Sequence, residues 1–184
     1  MSIKLETPLE EEKLAELRAG DSVEVSGIIY TARDAAHERL VNRLEEGENL
    51  PFEIRGQMIY YVGPAPAKPG YAIGPAGPTT SSRMDPYTPP LLEAGLKGMI
   101  GKGSRSPEVR KELQKHGAVY FGAVGGAAAL ISSRIESSEI IAYEELGPEA
   151  VRRLEIRELP LVVINDTVGG DLFQEGREKY RQSS

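Results

Sequence analysis

Cysteine is absent from all 184 residues. That excludes a disulfide scaffold, a zinc ribbon, a thiol nucleophile and any iron–sulfur cluster ligated by this chain. Histidine is scarce: the two present, His37 and His116, stand far apart and do not make a metal site. Long apolar runs are missing too. The longest weakly polar stretch, Gly117 to Ile131, is short of the about 20 residues a bilayer-spanning helix needs. Met1 to Leu17 is charged and amphipathic without the apolar core of a signal peptide, so a cytoplasmic location with no membrane contact is the default expectation. Positive charge is not in excess. With 22 Lys and Arg against 28 Asp and Glu, the net charge of -6 has the wrong sign for a general nucleic-acid binder, and any anion site must be local.

What is present reads as one globular domain. The length falls within the roughly 100–200 residues of a typical domain, enough to bury about 70% of the unfolded surface without staples. No internal repeat or low-complexity linker divides the chain. Helical spacing over Leu9 to Ala19 ends at Gly20, and Ser22 to Tyr30 alternates as a strand does. Thr31-Ala32-Arg33-Asp34 has the form of a capping box, followed by helical intervals to Gly47. Strand-like segments lie in 52–62, and 63–77 is dense in Gly and Pro, as extended loop is. A polar turn over 78–85 leads to a short helix near 89–94, then a brief buried strand at Gly98 to Gly101. Ser106 as cap, Pro107 at the first helical position and His116-Gly117 as stop bound a further helix. Beyond it we expect a strand at 118–124, an apolar helix opened by Gly125-Gly126, a strand at 140–143, a helix at 148–154, strands at 155–159 and 161–164, and a frayed polar tail. The alternation indicates an α/β layered domain with β structure beyond a plain doubly wound sheet.

Three cations stand beside backbone suited to anions. Arg33, read in the first turn of its helix, opposes the macrodipole at a cost of about 0.3–1 kcal/mol. Either a carboxylate ligand is gripped there by guanidinium and helix amides together, or Arg33 pairs with Asp34 or Glu38. Arg83 ends a turn in which Thr79-Thr80-Ser81-Ser82 supply four hydroxyls and Gly77 brings free amides. That is either a cradle for a small oxyanion or a Ser/Thr turn capping the next helix. Lys102 lies between two glycines at a strand end, where backbone approaches a ligand closely. It is not a P-loop lysine, because Gly103 follows it and Leu96 stands where a glycine is required. His37 is expected to pack or bond nearby backbone, His116 to meet a helix C-terminus, Tyr60 and Tyr61 to pack in a strand, and Asp166 and Asp171 to flank a turn at Gly169-Gly170.

The motifs Ala32-Arg33-Asp34-Ala35-Ala36-His37, Gly77 to Asp85, and Ile100-Gly101-Lys102-Gly103-Ser104-Arg105-Ser106, in that order, resemble the β subunit of class I fumarate hydratase. The likeness continues through Gly125-Gly126-Ala127-Ala128 and Glu149 to Glu155. The same family holds the β subunit of L-tartrate dehydratase and the C-terminal half of single-chain class I fumarases. The resemblance implies a swivelling β/β/α layered single domain over residues 21–172, with an N-terminal helical segment at 1–20 and a polar tail at 173–184. It implies an α subunit whose three cysteines hold a [4Fe-4S] cluster, this chain binding none, in an assembly of two copies of each subunit. It implies a dicarboxylate substrate held by Arg33, Arg83 and Lys102, with Thr80 and Gly77 lining its seat and Thr79 at the reacting carbon. The reaction implied is reversible hydration of fumarate to (S)-malate by a hydro-lyase active only with its α subunit. L-tartrate dehydration and a non-catalytic anion-binding subunit are the alternatives.

Overall fold

Every strand in the centre of this molecule is apolar on both faces, which is the pattern of a sheet covered on each side. Alternate residues sort accordingly. Met58 and Tyr60 point into one buried cluster with Val25, Ile29, Ile100, Phe121, Leu154 and Val163, while Ile59, Tyr61, Met99 and Tyr120 enter a second with Leu40, Leu91 and Leu113. The computed structural model describes residues 1–123 and 128–183. In chain order the elements are β1 (Ile3–Glu6), α1 (Glu11–Glu16), β2 (Ser22–Thr31), α2 (Asp34–Glu45), β3 (Met58–Tyr60), a 3-10 turn (Ser81–Tyr87), α3 (Thr88–Glu93) and β4 (Gly98–Gly101). Then come α4 (Pro107–His116), β5 (Val119–Ala123), α5 (Ala128–Ser133), β6 (Ile135–Ala142), a second 3-10 turn (Glu144–Glu149), β7 (Val151–Asn165) and α6 (Leu172–Gln182).

The strands close on themselves. β2, β3, β4 and β5 run parallel side by side, β7 pairs antiparallel with β5, and β7 returns antiparallel to β2. The result is a single mixed α/β domain around a five-stranded mixed barrel, as a swivelling β/β/α fold has. β1 extends β2 in parallel and β6 extends β7 antiparallel, so both flank the barrel. One cluster fills the barrel interior and the other lies under the helices. Closure gives every one of the five barrel strands a partner on both sides.

β4 and α4 fall where the sequence places them, with Ser106 Oγ accepting from Val109 N at 3.2 Å and Gly117 at φ 63° ending the helix. Other segments differ. Residues 1–20 are not helical throughout, because Ile3–Glu6 pairs with Val23–Ser26 and only Glu11–Glu16 is helix. Thr31 does not cap α2. Its hydroxyl donates to Ala150 O at 3.3 Å and accepts from Arg152 N at 3.1 Å, tying β2 to the start of β7, and the cap position passes to Arg33. The helix expected at 148–154 is a 3-10 turn that gives way to strand at Val151, since pairing with β2 and β6 on both edges overrides a local helical preference.

The two strands expected at 155–164 are one. Pro160 is tolerated inside β7 because it falls between Ile156, where pairing with β6 ends, and Leu161, where pairing with β5 begins. The tail is helix rather than frayed chain: Asp171 caps α6 by accepting from Phe173 N and Gln174 N, and Arg110 Nη1 fixes that cap at 3.1 Å. The turn at Gly169-Gly170 is as expected, with Asp166 Oδ1 accepting from Val168 N and Gly170 N. The helix start assigned to Gly125-Gly126 lies outside the described residues.

Candidate functional site

Parallel strands present their C-terminal ends together, and ligand sites gather there in α/β folds. Here β2, β3 and β4 deliver Arg33, Thr79 and Lys102 to one end of the barrel. Ala32 N donates to Tyr60 O, Thr79 N to Tyr61 O at 2.7 Å, and Lys102 N to Thr79 O at 3.3 Å. Thr80 and Lys102 form an isolated parallel bridge, closed by Ser81 N donating to Lys102 O at 2.9 Å. The chain after β3 therefore leaves through the Gly/Pro-rich loop and returns as a short extra strand against the end of β4. That return brings Thr79, Thr80 and Lys102 together.

Arg33 reaches the same end from the cap of α2. Its side chain lies across Gly63, where a Cβ would sit 3.1 Å from Arg33 Cδ and 3.2 Å from Nη1. Its Nε is 3.9 Å from Asp34 Oδ1 and 4.0 Å from Glu149 Oε1, and Arg83 Nε donates to Asp34 Oδ2 at 3.0 Å. Glu149 Oε1 also accepts from Ala35 N at 3.4 Å, at the start of α2. So carboxylates of the chain itself, Asp34 and Glu149, stand at ion-pair distance from Arg33, and Glu149 accepts from a helix amide; the neighbouring carboxylate is Asp34, not Glu38. Arg83, Thr80 and Lys102 are exposed, while Arg33 and Thr79 are partly buried. Gly77 is exposed, and Ala128 is the neighbour its Cβ would meet at 3.7 Å.

Beneath the cations is a support that single-sequence reading misses. Arg105 is fully buried, donates Nε–H to Asp85 Oδ1 at 2.7 Å and Nη2–H to Thr88 Oγ1 at 2.8 Å, and lies over the rings of Tyr61 and Tyr120. Asp85 Oδ2 accepts from Ser106 N at 2.8 Å. Ser81 Oγ and Tyr120 OH are 2.6 Å apart, and Tyr120 OH donates to Gly103 O at 2.8 Å. Burial pushes the Tyr120 phenol above its ordinary range, so it serves as a fixed donor. Gly101 leaves room for this arrangement, since a Cβ there would lie 1.9 Å from Ser81 Oγ. The turn at 81–87 and the loop at 102–106 are thus clamped to each other. Asp85 and Arg105 both sit inside the motifs singled out above, but their pairing across 20 residues is decided by the fold.

His37 does as expected: its Nδ1–H donates to Arg33 O at 2.8 Å, and burial holds its pKa down at about 4, so it is neutral. Tyr60 and Tyr61 are buried, Tyr60 OH donating to Ala76 O. His116 ends α4 and meets Glu112. A separate cleft, lined by Lys68, Tyr71, Ile73, Ala129 and Ser132, shares none of the cation cluster's residues. Among the described residues no group of three or more His, Cys, Asp or Glu could hold a metal ion, and no helix is long and apolar enough to cross a membrane.

A closed mixed barrel that gathers cations at the ends of its parallel strands defines a domain class, and residues 1–176 match the family described as Fumarase C-terminus: the chain belongs to that family. It is homologous to class I fumarate hydratase hydro-lyases. The aerobic class I fumarate hydratase of Escherichia coli K12 is 38% identical over 177 residues, covering 94% of this chain and 32% of that protein. Fumarate hydratase 2 of Leishmania major is 34% identical over 94% of this chain and 31% of its own length. The chain therefore spans about a third of the fumarate hydratases it matches. A Methanocaldococcus jannaschii protein provisionally named L(+)-tartrate dehydratase subunit beta is 34% identical over 93% of this chain and 91% of its own length.

Proposed function

We propose that this chain is the β component of a class I fumarate hydratase, holding the dicarboxylate and moving its proton during reversible hydration of fumarate to (S)-malate. One observation carries the reading: in a member of this family, Arg33, Arg83 and Lys102 converge with Thr79 at one end of the barrel. In this mechanism the three cations hold the two carboxylates, Thr80 and the amides near Gly77 line the seat, and Thr79 faces C3. The C3 proton leaves through Thr79, the C3–H electron pair becomes the C2–C3 double bond and the C2–O bond breaks to release hydroxide, so that proton and hydroxide together make one water; the reverse sequence hydrates fumarate. A threonine hydroxyl is a weak base, so Thr79 acts as a relay to a stronger acceptor, a carboxylate of the partner.

The charge balance supports a shared site. Asp34 and Glu149 offset two of the three cations, leaving a net charge of one in the cluster. A dianion would exceed that by one, so further positive charge must come from outside the chain. The residues present do not fit a [4Fe-4S] cluster: there is no cysteine in the chain and no metal-holding group among the described residues. We assign the cluster to the partner α component and derive no step through it.

Dehydration of L-tartrate is the second reading, favoured by the M. jannaschii relative that the chain matches over nearly its full length. It differs by one substrate hydroxyl, for which a selective pocket needs one more polar partner. Anaerobic co-expression with an α component, followed by assay of malate and L-tartrate, tests both. Malate turnover well above tartrate turnover is expected, and turnover of neither sinks the proposal.

A further inference from the structure

The two arginines of the cluster share one carboxylate. Asp34 opens α2, where the helix fixes its backbone, and its two oxygens face different partners: Oδ2 accepts from Arg83 Nε at 3.0 Å, and Oδ1 lies 3.9 Å from Arg33 Nε. Arg33 precedes α2 and Arg83 comes from the 3-10 turn after β3, two segments that pack against each other, and Asp34 lies between the two side chains. Arg83 is about half exposed, and a side chain of that length in water samples many rotamers unless it is held. Arg83 spends its Nε–H on this hydrogen bond, whereas Arg33 Nε stands at ion-pair distance with no hydrogen-bond partner. A guanidinium has five N–H donors, so the four on Nη1 and Nη2 remain as the edge that grips a second carboxylate in the bidentate manner.

We propose that Asp34 is a positioning residue: it holds Arg83 by a hydrogen bond to its Nε edge and keeps Arg33 beside it by charge, with the terminal N–H groups of both turned toward the dianion. This rests on the reading above for what the arginines grip. The opposite expectation follows if Asp34 is merely a negative charge beside the seat, because its removal would then raise affinity for a dianion.

Asp34→Asn, which keeps shape and loses charge, separates the two in the reconstituted enzyme. KM is expected to rise about tenfold or more with kcat changed by much less, and Asp34→Glu is expected to recover part of the loss. An unchanged or lowered KM overturns the proposal. A second readout needs no turnover: in the ¹⁵N-labelled wild-type chain the Arg83 Nε–H is expected to exchange with water about tenfold more slowly than in free arginine, and Asp34→Asn is expected to abolish that protection. Absence of protection in wild type overturns the proposal even if the variant fails to fold. Wild-type protein inactive on malate and tartrate would sink the functional reading alone, and the exchange measurement would still decide the role of Asp34.

Discussion

At the scale of single residues, the proposed function separates binding and proton transfer by position. Thr79 is held by two backbone bonds and belongs to no ion pair, so replacing it alters chemistry more than affinity. Thr79→Ala is expected to lower kcat about 100-fold or more with little change in KM, and Thr79→Ser to retain much of the activity. Turnover of Thr79→Ala within a few-fold of wild type would remove it from the mechanism. Arg33→Ala and Arg83→Ala are expected to raise KM about 10- to 100-fold, the worth of charged hydrogen bonds. Steady-state kinetics on the reconstituted enzyme read all of these. His37 makes a different prediction. The unfolded chain takes up a proton near pH 6.5, whereas the folded one resists until about 4. Its contribution is therefore complete above pH 6.5 and is lost on acidification toward 4, by about 1.4 kcal/mol per pH unit at most and about 3 kcal/mol in all. Urea unfolding between pH 7.5 and 4 should show that slope, and His37→Phe should flatten it; an equal slope in the variant rejects the assignment.

At the scale of elements, the clamp of Arg105 on Asp85 is the joint between two of the motifs. Because Arg105 has no exposed side-chain surface and Asp85 little, removing one partner leaves a buried charge unpaired. Asp85→Ala is expected to cost about 3–5 kcal/mol, while the double change with Arg105→Met should recover a good part of it. Chemical denaturation measures both, and additive losses in the double variant would contradict the pairing. Elements with local signals were legible: α4 has its serine cap, proline start and left-handed glycine end within a dozen residues. Elements defined by distant partners were not. Thr31 has the form of a cap, yet the Ala150 carbonyl, 119 residues away at the entry to β7, claims its hydroxyl. Pro148 to Leu154 has helical composition, yet Val151 onward is drawn into a strand paired on both edges. β1 is invisible without β2 beside it, and Pro160 marks a break only to a reader unaware that β7 changes partners there.

At the scale of the whole molecule, the candidate site lies on an exposed end of the barrel. With Thr80, Arg83 and Lys102 exposed and the local charge nearly balanced, the surface is suited to being covered. The isolated chain is expected to fold and remain inactive on malate, fumarate and tartrate, and to gain activity on mixing with the α component under anaerobic conditions. Activity of the chain alone would refute the division of roles. Association should protect the Arg83 and Lys102 region from hydrogen exchange more than α4, and equal protection of both would place the interface elsewhere.

Composition and motif by themselves determined that this chain ligates no cluster through cysteine, that any anion site must be local, and that Arg33, Thr79, Arg83 and Lys102 are the residues to examine. Those statements depend on side-chain chemistry and on spacing within a few residues, which a sequence carries directly. Only the tertiary structure decided that the strands close into a barrel, that Asp34 and Glu149 enter the cation cluster, and that Arg105 is buried against Asp85. Each of those depends on which distant backbone segments share hydrogen bonds, and chain order alone does not state that.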